Sequence, residues 1–149
     1  MQLPSRGDRL NKQQEMVREF HEAFGHPVSD MPTNLPEETA TLRHVLMLEE
    51  LQEYRDAAEA GDIVEVADAL ADLAYVLLGT AVSHGIDLEP VFEIIHSSNL
   101  SKLDENGNPV PHPTIPGKIG KSDLYWEPQE MIDNELEVQS DGRTYPEEF

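Results

Sequence analysis

Six carboxylates in the middle of the 149-residue sequence have a spacing that suits a metal ion. They fall into two groups, one on each side of Gly61: Glu49, Glu50 and Glu53, and then Glu65, Asp68 and Asp72. On a helix with about 100° per residue, Glu49 and Glu53 share a narrow arc with Glu50 on its flank, and Glu65, Asp68 and Asp72 share another arc. None of the six has a Lys or Arg three or four residues away, where a helical salt bridge would form. Because like charges at this spacing repel each other, the pattern indicates an external cation.

The two groups face each other if their helices form an antiparallel hairpin around Gly61. Glu49 and Glu53 lie 12 and 8 residues before Gly61, whereas Asp68 and Asp72 lie 7 and 11 residues after it. The pairs are therefore level across the hairpin and form a cup of four carboxylates. An all-oxygen ligand set of this kind suits Mg²⁺ or Mn²⁺, with water completing the octahedron.

Two other interpretations of these residues are weaker. A solvated acidic face would not run into apolar stripes, yet both arcs do, at Leu42 and Leu46 and again at Tyr75. A di-iron bundle needs two Glu-x-x-His motifs on separate helices, and only Glu93 to His96 has that spacing. A bound divalent cation at the Gly61 hairpin is the favoured interpretation.

The elements that must position these residues are helices. Apolar spacing and stop signals predict helices over about 10–24, 37–60, 63–84 and 87–99, the last with Asp87 as its N-cap. The uncharged segment 73–83 is expected to be buried. The Gly- and Pro-rich segment after Lys102 predicts an irregular arm with a short hairpin near Asn106-Gly107. Asp104, Asn106 and Asn108 resemble the start of a calcium-binding loop, but Pro109 stands where that loop needs Gly, so we predict a turn there.

The predicted fold class is all-α, a four- to five-helix bundle with an irregular C-terminal arm. We expect one domain over 1–149: a flexible arm over 1–9, a catalytic helical core with a lysine-bearing loop over 10–126, and a short helix near 128–136 with an acidic tail over 127–149. These predictions place the carboxylates on the two long central helices.

Composition limits the partners. The net charge is −20, which argues against a nucleic acid polymer or an anionic membrane, because both require a basic surface. The sequence has no cysteine, which excludes thiolate metal sites and cysteine nucleophiles. No apolar segment resembles a secretory signal or is long enough to cross a bilayer, so we expect a cytoplasmic protein. Three of the four lysines, Lys102, Lys118 and Lys121, lie in the irregular arm, and lysines near a carboxylate-bound Mg²⁺ suit a polyphosphate.

The segment Glu49-Glu50-Leu51-Gln52-Glu53 resembles the EExxE signature of the all-α nucleoside triphosphate pyrophosphohydrolases, a superfamily that includes MazG-like enzymes and phosphoribosyl-ATP pyrophosphohydrolase. Glu65 to Asp68 resembles the ExxD motif of their second helix, and Asp72 resembles the terminal Asp of that motif. The segments MVREFHEAFGHP, from Met16, and the run from Asn99 to Trp126 resemble the phosphoribosyl-ATP pyrophosphohydrolase-like branch, common in bacteria and phages. The sequence departs from the pattern at Ala69, where many members have Glu.

The resemblance implies a MazG-like fold and Mg²⁺-dependent hydrolysis of a nucleoside triphosphate to a monophosphate and pyrophosphate. It implies Glu50, Glu53, Asp68 and Asp72 as metal ligands, with Glu65 as the alternative to Asp68. It implies Glu49 and Glu50 as catalytic carboxylates, and Asn99, Lys102, Lys118 and Lys121 as substrate-binding residues. A base could stack on Phe20, Phe24, Tyr125 or Trp126, and the family assembles as homodimers or homotetramers. The competing hypothesis is a non-enzymatic acidic helical module that mimics DNA or docks on a basic partner.

Overall fold

The computed structural model describes residues 11–141, and within them it shows five α-helices and no strand. The helices are α1 (Lys12–Phe24), α2 (Glu37–Ala60), α3 (Ile63–His84), α4 (Leu88–Leu100) and α5 (Gln129–Asp141). Helices α2 and α3 pack as a hairpin, α1 packs on α3, and α5 packs on α4. The expected arm over 1–9 and the residues after 141 lie outside the described part of the chain. The prediction of an all-α bundle is confirmed.

The hairpin that carries the carboxylates is defined by its turn. Helix α2 ends at Gly61, whose φ of 68° lies in the left-handed region that favours glycine. Helix α3 begins directly after Asp62, whose carboxylate accepts hydrogen bonds from the backbone N–H groups of Val64 and Glu65. This two-residue connection leaves no slack, so the two helices must run antiparallel from the turn. The bounds predicted for both helices are confirmed.

Two buried glutamines join α1 and α5 to the connection between α3 and α4. Gln14 donates from Nε2 to the carbonyl of Ile86 (2.6 Å) and accepts from the backbone N–H of Leu88 (3.1 Å). Gln139 accepts from the N–H of Asp87 and donates to its carbonyl, both at 2.9 Å. We call these four bonds the glutamine clamp. Asp87 occupies the predicted N-cap position, but its side chain makes no cap hydrogen bond. Gln14 accepts from the first helical N–H, that of Leu88.

The C-terminal region differs from the prediction in two respects. Residues 104–108 form a turn, in which the Asp104 carboxylate accepts from the N–H groups of Asn106 and Asn108. No strand pair forms around Asn106-Gly107, where a hairpin was predicted; an antiparallel bridge joins Pro111 to Ile119 further along the arm. The predicted short helix continues to Asp141, so residues 137–141, expected in the acidic tail, are helical. The buried side chain of Gln139 requires this extra turn.

The expectation that residues 73–83 are buried on all sides is wrong for half of the segment. Gly79, Ala81, Val82 and Ser83 are buried, but Tyr75 is 40% exposed and Leu77 is 44% exposed. The reason is that α1 and α2 cover only part of the surface of α3. None of the described helices is long and apolar enough to span a membrane.

Candidate metal centre

Three carboxylates converge across the α2–α3 hairpin. Glu50 and Glu53 lie three residues apart on one face of α2, and Asp72 projects from α3. One oxygen from each carboxylate can be chosen so that the three atoms lie within 4.8 Å of one another. We call this group the acid cluster. Three oxygens at this separation can ligate one divalent cation, with water completing the coordination.

Glu50 is the member of the cluster whose surroundings most favour a bound cation. Its Oε2 atom is buried and accepts no hydrogen bond from any described donor. Burial raises the pKa of the Glu50 carboxyl, and the negative charges of Glu53, Asp72 and Glu49 raise it further. A buried carboxylate oxygen without a donor is costly, and a bound cation would remove that cost. The donor set therefore fits Mg²⁺ or Mn²⁺.

Asp68 and Glu65 lie beside the acid cluster and are not members of it. Both line an open depression of about 350 Å³ between the ends of α2 and α3 near the Gly61 turn. Glu53 lines the same depression and so connects it to the acid cluster. Since both residues face this space, Asp68 as the fourth ligand remains a prediction, with Glu65 as its alternative.

An arginine that the sequence analysis did not single out fixes the register of the hairpin. Arg43, on α2, is buried and donates from Nε to the hydroxyl of Thr80 (3.1 Å) and from Nη2 to the carbonyl of Val76 (2.8 Å). Gly79 makes room for it, because a Cβ at that position would lie 2.6 Å from Arg43 Nη2. Arg43 lies seven residues, or two turns, before Glu50 on the same face of α2. The signal available in the sequence was a lone Arg on the apolar side of the helix.

Three of the four predicted substrate-binding residues lie together. Lys102 donates from Nζ to Asn99 Oδ1 (2.9 Å). The ammonium groups of Lys102 and Lys121 lie 5.9 and 4.6 Å from the ring centroid of Tyr125, within the range of a cation–π contact. The fourth, Lys118, lies in the loop between Lys102 and Lys121, where its carbonyl accepts a hydrogen bond from the backbone N–H of His112. The two ammonium groups therefore lie at one aromatic ring, and Lys121 Nζ also lies 3.7 Å from the carboxylate of Glu127.

Comparison with known proteins identifies the class. The profile of the phosphoribosyl-ATP pyrophosphohydrolase family matches residues 17–99, which is more than half of the chain. The chain therefore belongs to this family of all-α pyrophosphohydrolases, as its motifs predicted. The match includes α2, α3 and every member of the acid cluster.

Two individual proteins that match this chain share 30% and 23% sequence identity with it. The chain is 30% identical over 99 residues to an uncharacterized protein of Acanthamoeba polyphaga mimivirus, a match that covers 64% of this chain and 37% of the viral one. The chain thus spans little more than a third of that curated relative. A crystal structure from Exiguobacterium sp. 255-15, of a protein provisionally named an NTP pyrophosphohydrolase, superposes with a TM-score of 0.50 at 23% identity. The superposition covers 90% of this chain and 99% of the other, and it confirms the predicted MazG-like fold.

Proposed function

We propose that the protein is a Mg²⁺-dependent nucleoside triphosphate pyrophosphohydrolase that cleaves between the α and β phosphates and releases a nucleoside monophosphate and pyrophosphate. The observation that carries this proposal is the acid cluster, with its buried and unsatisfied Glu50 oxygen, in a member of the pyrophosphohydrolase family. Mn²⁺ is the alternative ion, because it accepts the same oxygen ligands.

Each carboxylate has a role in this proposal. Glu50, Glu53 and Asp72 would hold the ion, with Asp68 or Glu65 as a further ligand across the depression that Glu53 shares. A bound ion lowers the pKa of water and neutralises phosphate oxygens. Glu49, next to Glu50 in sequence, orients the attacking water and accepts its proton, or serves as a further ligand.

The three lysines of the irregular C-terminal arm supply positive charge, which the acid cluster lacks. Lys102 and Lys121 lie beside Tyr125, whose ring holds the two ammonium groups in place, and Asn99 accepts a hydrogen bond from Lys102. Together with Lys118, which lies between Lys102 and Lys121 in the sequence, these residues would bind the phosphate oxygens and the sugar of the substrate. We further propose that the active form is a homodimer or homotetramer in the cytoplasm, acting on a free nucleotide and not on a nucleic acid polymer or a membrane.

The proposal is tested by pyrophosphate release from a panel of NTPs, dNTPs and phosphoribosyl-ATP, with Mg²⁺ and with EDTA. Asp72→Asn and Glu53→Gln should each lower kcat by at least about 100-fold, because each removes a charge from the ion site, while far-UV circular dichroism stays unchanged. Asp133→Asn, an exposed carboxylate on α5, is the matched control and should retain wild-type activity. Wild-type turnover by either cluster variant would show that the site is wrong.

The charge of −20 favours a second candidate, a non-enzymatic module that docks on a basic partner. Such a module would bind a basic protein regardless of Mg²⁺. The same panel separates the two candidates, since the absence of hydrolysis for every nucleotide would favour the module. It would also identify the preferred base and sugar if the enzyme is active.

A further inference from the structure

Arg43 holds α2 against α3 at a point two helical turns from the acid cluster. The residue is buried, and its guanidinium donates both to the hydroxyl of Thr80 and to the backbone carbonyl of Val76. These two acceptors are themselves joined, because the Thr80 hydroxyl donates to the Val76 carbonyl at 2.9 Å. We call Arg43, Val76 and Thr80 the arginine bridge. A planar guanidinium that reaches two acceptors at once fixes the orientation of the helices as well as their distance.

The arginine bridge and the acid cluster occupy matching levels of the hairpin. Arg43 and Gly79, over which the guanidinium lies, are each 18 residues from Gly61. Glu50 and Asp72 are each 11 residues from Gly61. The two levels are therefore seven residues apart on both helices, which is two turns on the same face and about 10 Å of helix.

The Gly61 turn does not by itself determine where Asp72 lies. The short turn limits how far α3 can slide along α2, but the two helices could still splay apart, and α3 could still rotate about its own axis. The arginine bridge opposes both movements, because splaying would break its hydrogen bonds and rotation would carry the two acceptors away. Asp72 lies between the turn and the bridge, one helical turn before Val76. Its position opposite the two carboxylates of α2 therefore depends on the bridge.

We propose that Arg43 is a positioning residue of the metal centre: by holding Asp72 opposite Glu50 and Glu53, it sets the affinity of the acid cluster for a divalent cation. This inference rests on the ion site of the proposed function. It goes beyond that function because Arg43 lies two turns from the carboxylates and acts on the ion only through their placement.

The charge of Arg43 would have the opposite effect. No carboxylate among the described residues forms a salt bridge with Arg43, so its positive charge repels a cation at the acid cluster. If charge were the larger effect, removing the guanidinium would strengthen ion binding. If position is the larger effect, as we propose, removing it weakens ion binding. The sign of the change therefore distinguishes the two.

The test measures Mn²⁺ binding without nucleotide, by electron paramagnetic resonance. Arg43→Met should raise the Kd of Mn²⁺ at least about tenfold, the size of effect seen when an outer partner of metal ligands is removed. Thr80→Val removes one acceptor of the bridge and keeps the shape of the side chain. It should raise the Kd about threefold, the effect of one lost hydrogen bond, and it tests the inference even if Arg43→Met does not fold.

Two controls separate position from stability and from surface charge. Gln139→Ala removes buried hydrogen bonds at α5 and leaves the hairpin unchanged, so it matches a loss of stability, measured by urea unfolding. Arg55→Met removes an exposed arginine of α2 that pairs with Glu59. Both variants should keep the wild-type Kd within about twofold.

Two results would overturn the inference. One is unchanged or stronger Mn²⁺ binding by Arg43→Met. The other is an equal loss of affinity in Gln139→Ala, since lower stability would then explain the effect. A wild-type protein that binds Mn²⁺ but releases no pyrophosphate from any nucleotide would overturn the proposed function and leave this inference intact.

Discussion

His21 shows how one side chain can be buried at a junction of helices without a counter-charge. It is 2% exposed, and its Nδ1 atom lies 2.9 Å from the carbonyl of Pro27. Burial lowers the pKa of His21, and the nearby positive charges of Arg43 and His26 lower it further, although the Pro27 carbonyl opposes these effects. The neutral ring, donating from Nδ1, is therefore the form that the fold accommodates.

This lowered pKa makes stability depend on pH. The unfolded chain takes up a proton at His21 near pH 6.5, before the folded protein does, so its contribution to stability is complete above pH 6.5 and is lost as the pH falls toward the folded pKa. We expect the urea midpoint of the wild-type protein to fall between pH 7 and 5.5 more steeply than that of His21→Gln. His96→Gln, at an exposed position, should keep the wild-type slope. Equal slopes for wild type and His21→Gln would contradict the prediction.

Individual residues could be predicted from the sequence where their like charges would repel one another without a bound partner. Glu50, Glu53 and Asp72 stood out because unneutralised carboxylates on facing helices require an explanation, and the structure brings these three together. Arg43 and His21 were not predicted, because a charged or polar side chain is expected at the surface unless a partner is known. Their partners are backbone carbonyls and a hydroxyl, groups that no sequence pattern marks.

The side chain of Gln139 attaches helix α5 to the rest of the bundle. Gln139 is 1% exposed and supplies two of the four bonds of the glutamine clamp, both to Asp87. Its Nε2 atom also donates to Glu135, one turn earlier on α5. The two amide groups of the clamp thus hold two helices, α1 and α5, against the connection between α3 and α4.

We expect Gln139→Ala to destabilise the protein by about 2–3 kcal/mol, because it removes a partner from a buried backbone N–H and from a buried carbonyl. Gln129→Ala, at the exposed first residue of the same helix, should change the free energy of unfolding by less than about 0.5 kcal/mol. Urea unfolding monitored by circular dichroism measures both values. The prediction fails if the two variants are equally stable.

The helices were predictable to the extent that their ends carry local signals. Gly25, Gly61 and Gly85 each end a helix in the left-handed conformation, and all three ends were predicted correctly. The end of α5 was predicted about five residues too early, although Gly142 follows Asp141 directly in the sequence and is the same kind of stop signal. The contact that extends it joins Gln139 to a residue 52 positions away, and such a contact is invisible to a local pattern.

Exposed large apolar residues occur on all five described helices, and the three central helices carry many of them: Leu42, Val45, Leu48 and Leu51 on α2; Ile63, Val64, Leu70 and Leu77 on α3; and Phe92, Ile95 and Leu100 on α4. Extended apolar surface of this kind marks interaction sites. This apolar surface supports the proposed association of identical chains. The net charge of −20 on each chain opposes that association, because the chains repel one another.

These two opposing effects predict a salt dependence. The Debye length falls from about 30 Å at 0.01 M salt to about 10 Å at 0.1 M, so added NaCl screens the repulsion between chains but not the apolar contact. We expect the dissociation constant of the homo-oligomer to decrease as NaCl rises from 0.01 to 0.2 M, as measured by sedimentation equilibrium. A mass of 16.7 kDa, that of one chain, at every salt concentration would contradict both the prediction and the proposed oligomer.

The glutamine clamp also has a consequence for the order in which the protein folds. The α2–α3 hairpin closes through a two-residue turn, whereas the clamp joins residues separated by 72, 74 and 52 positions. Because closing a long loop costs more entropy than closing a short one, and non-local contacts form slowly, the hairpin should assemble early and the docking of α1 and α5 should complete the process. The two carboxylates of α2 and the one of α3 would then meet before the ends of the described chain are in place.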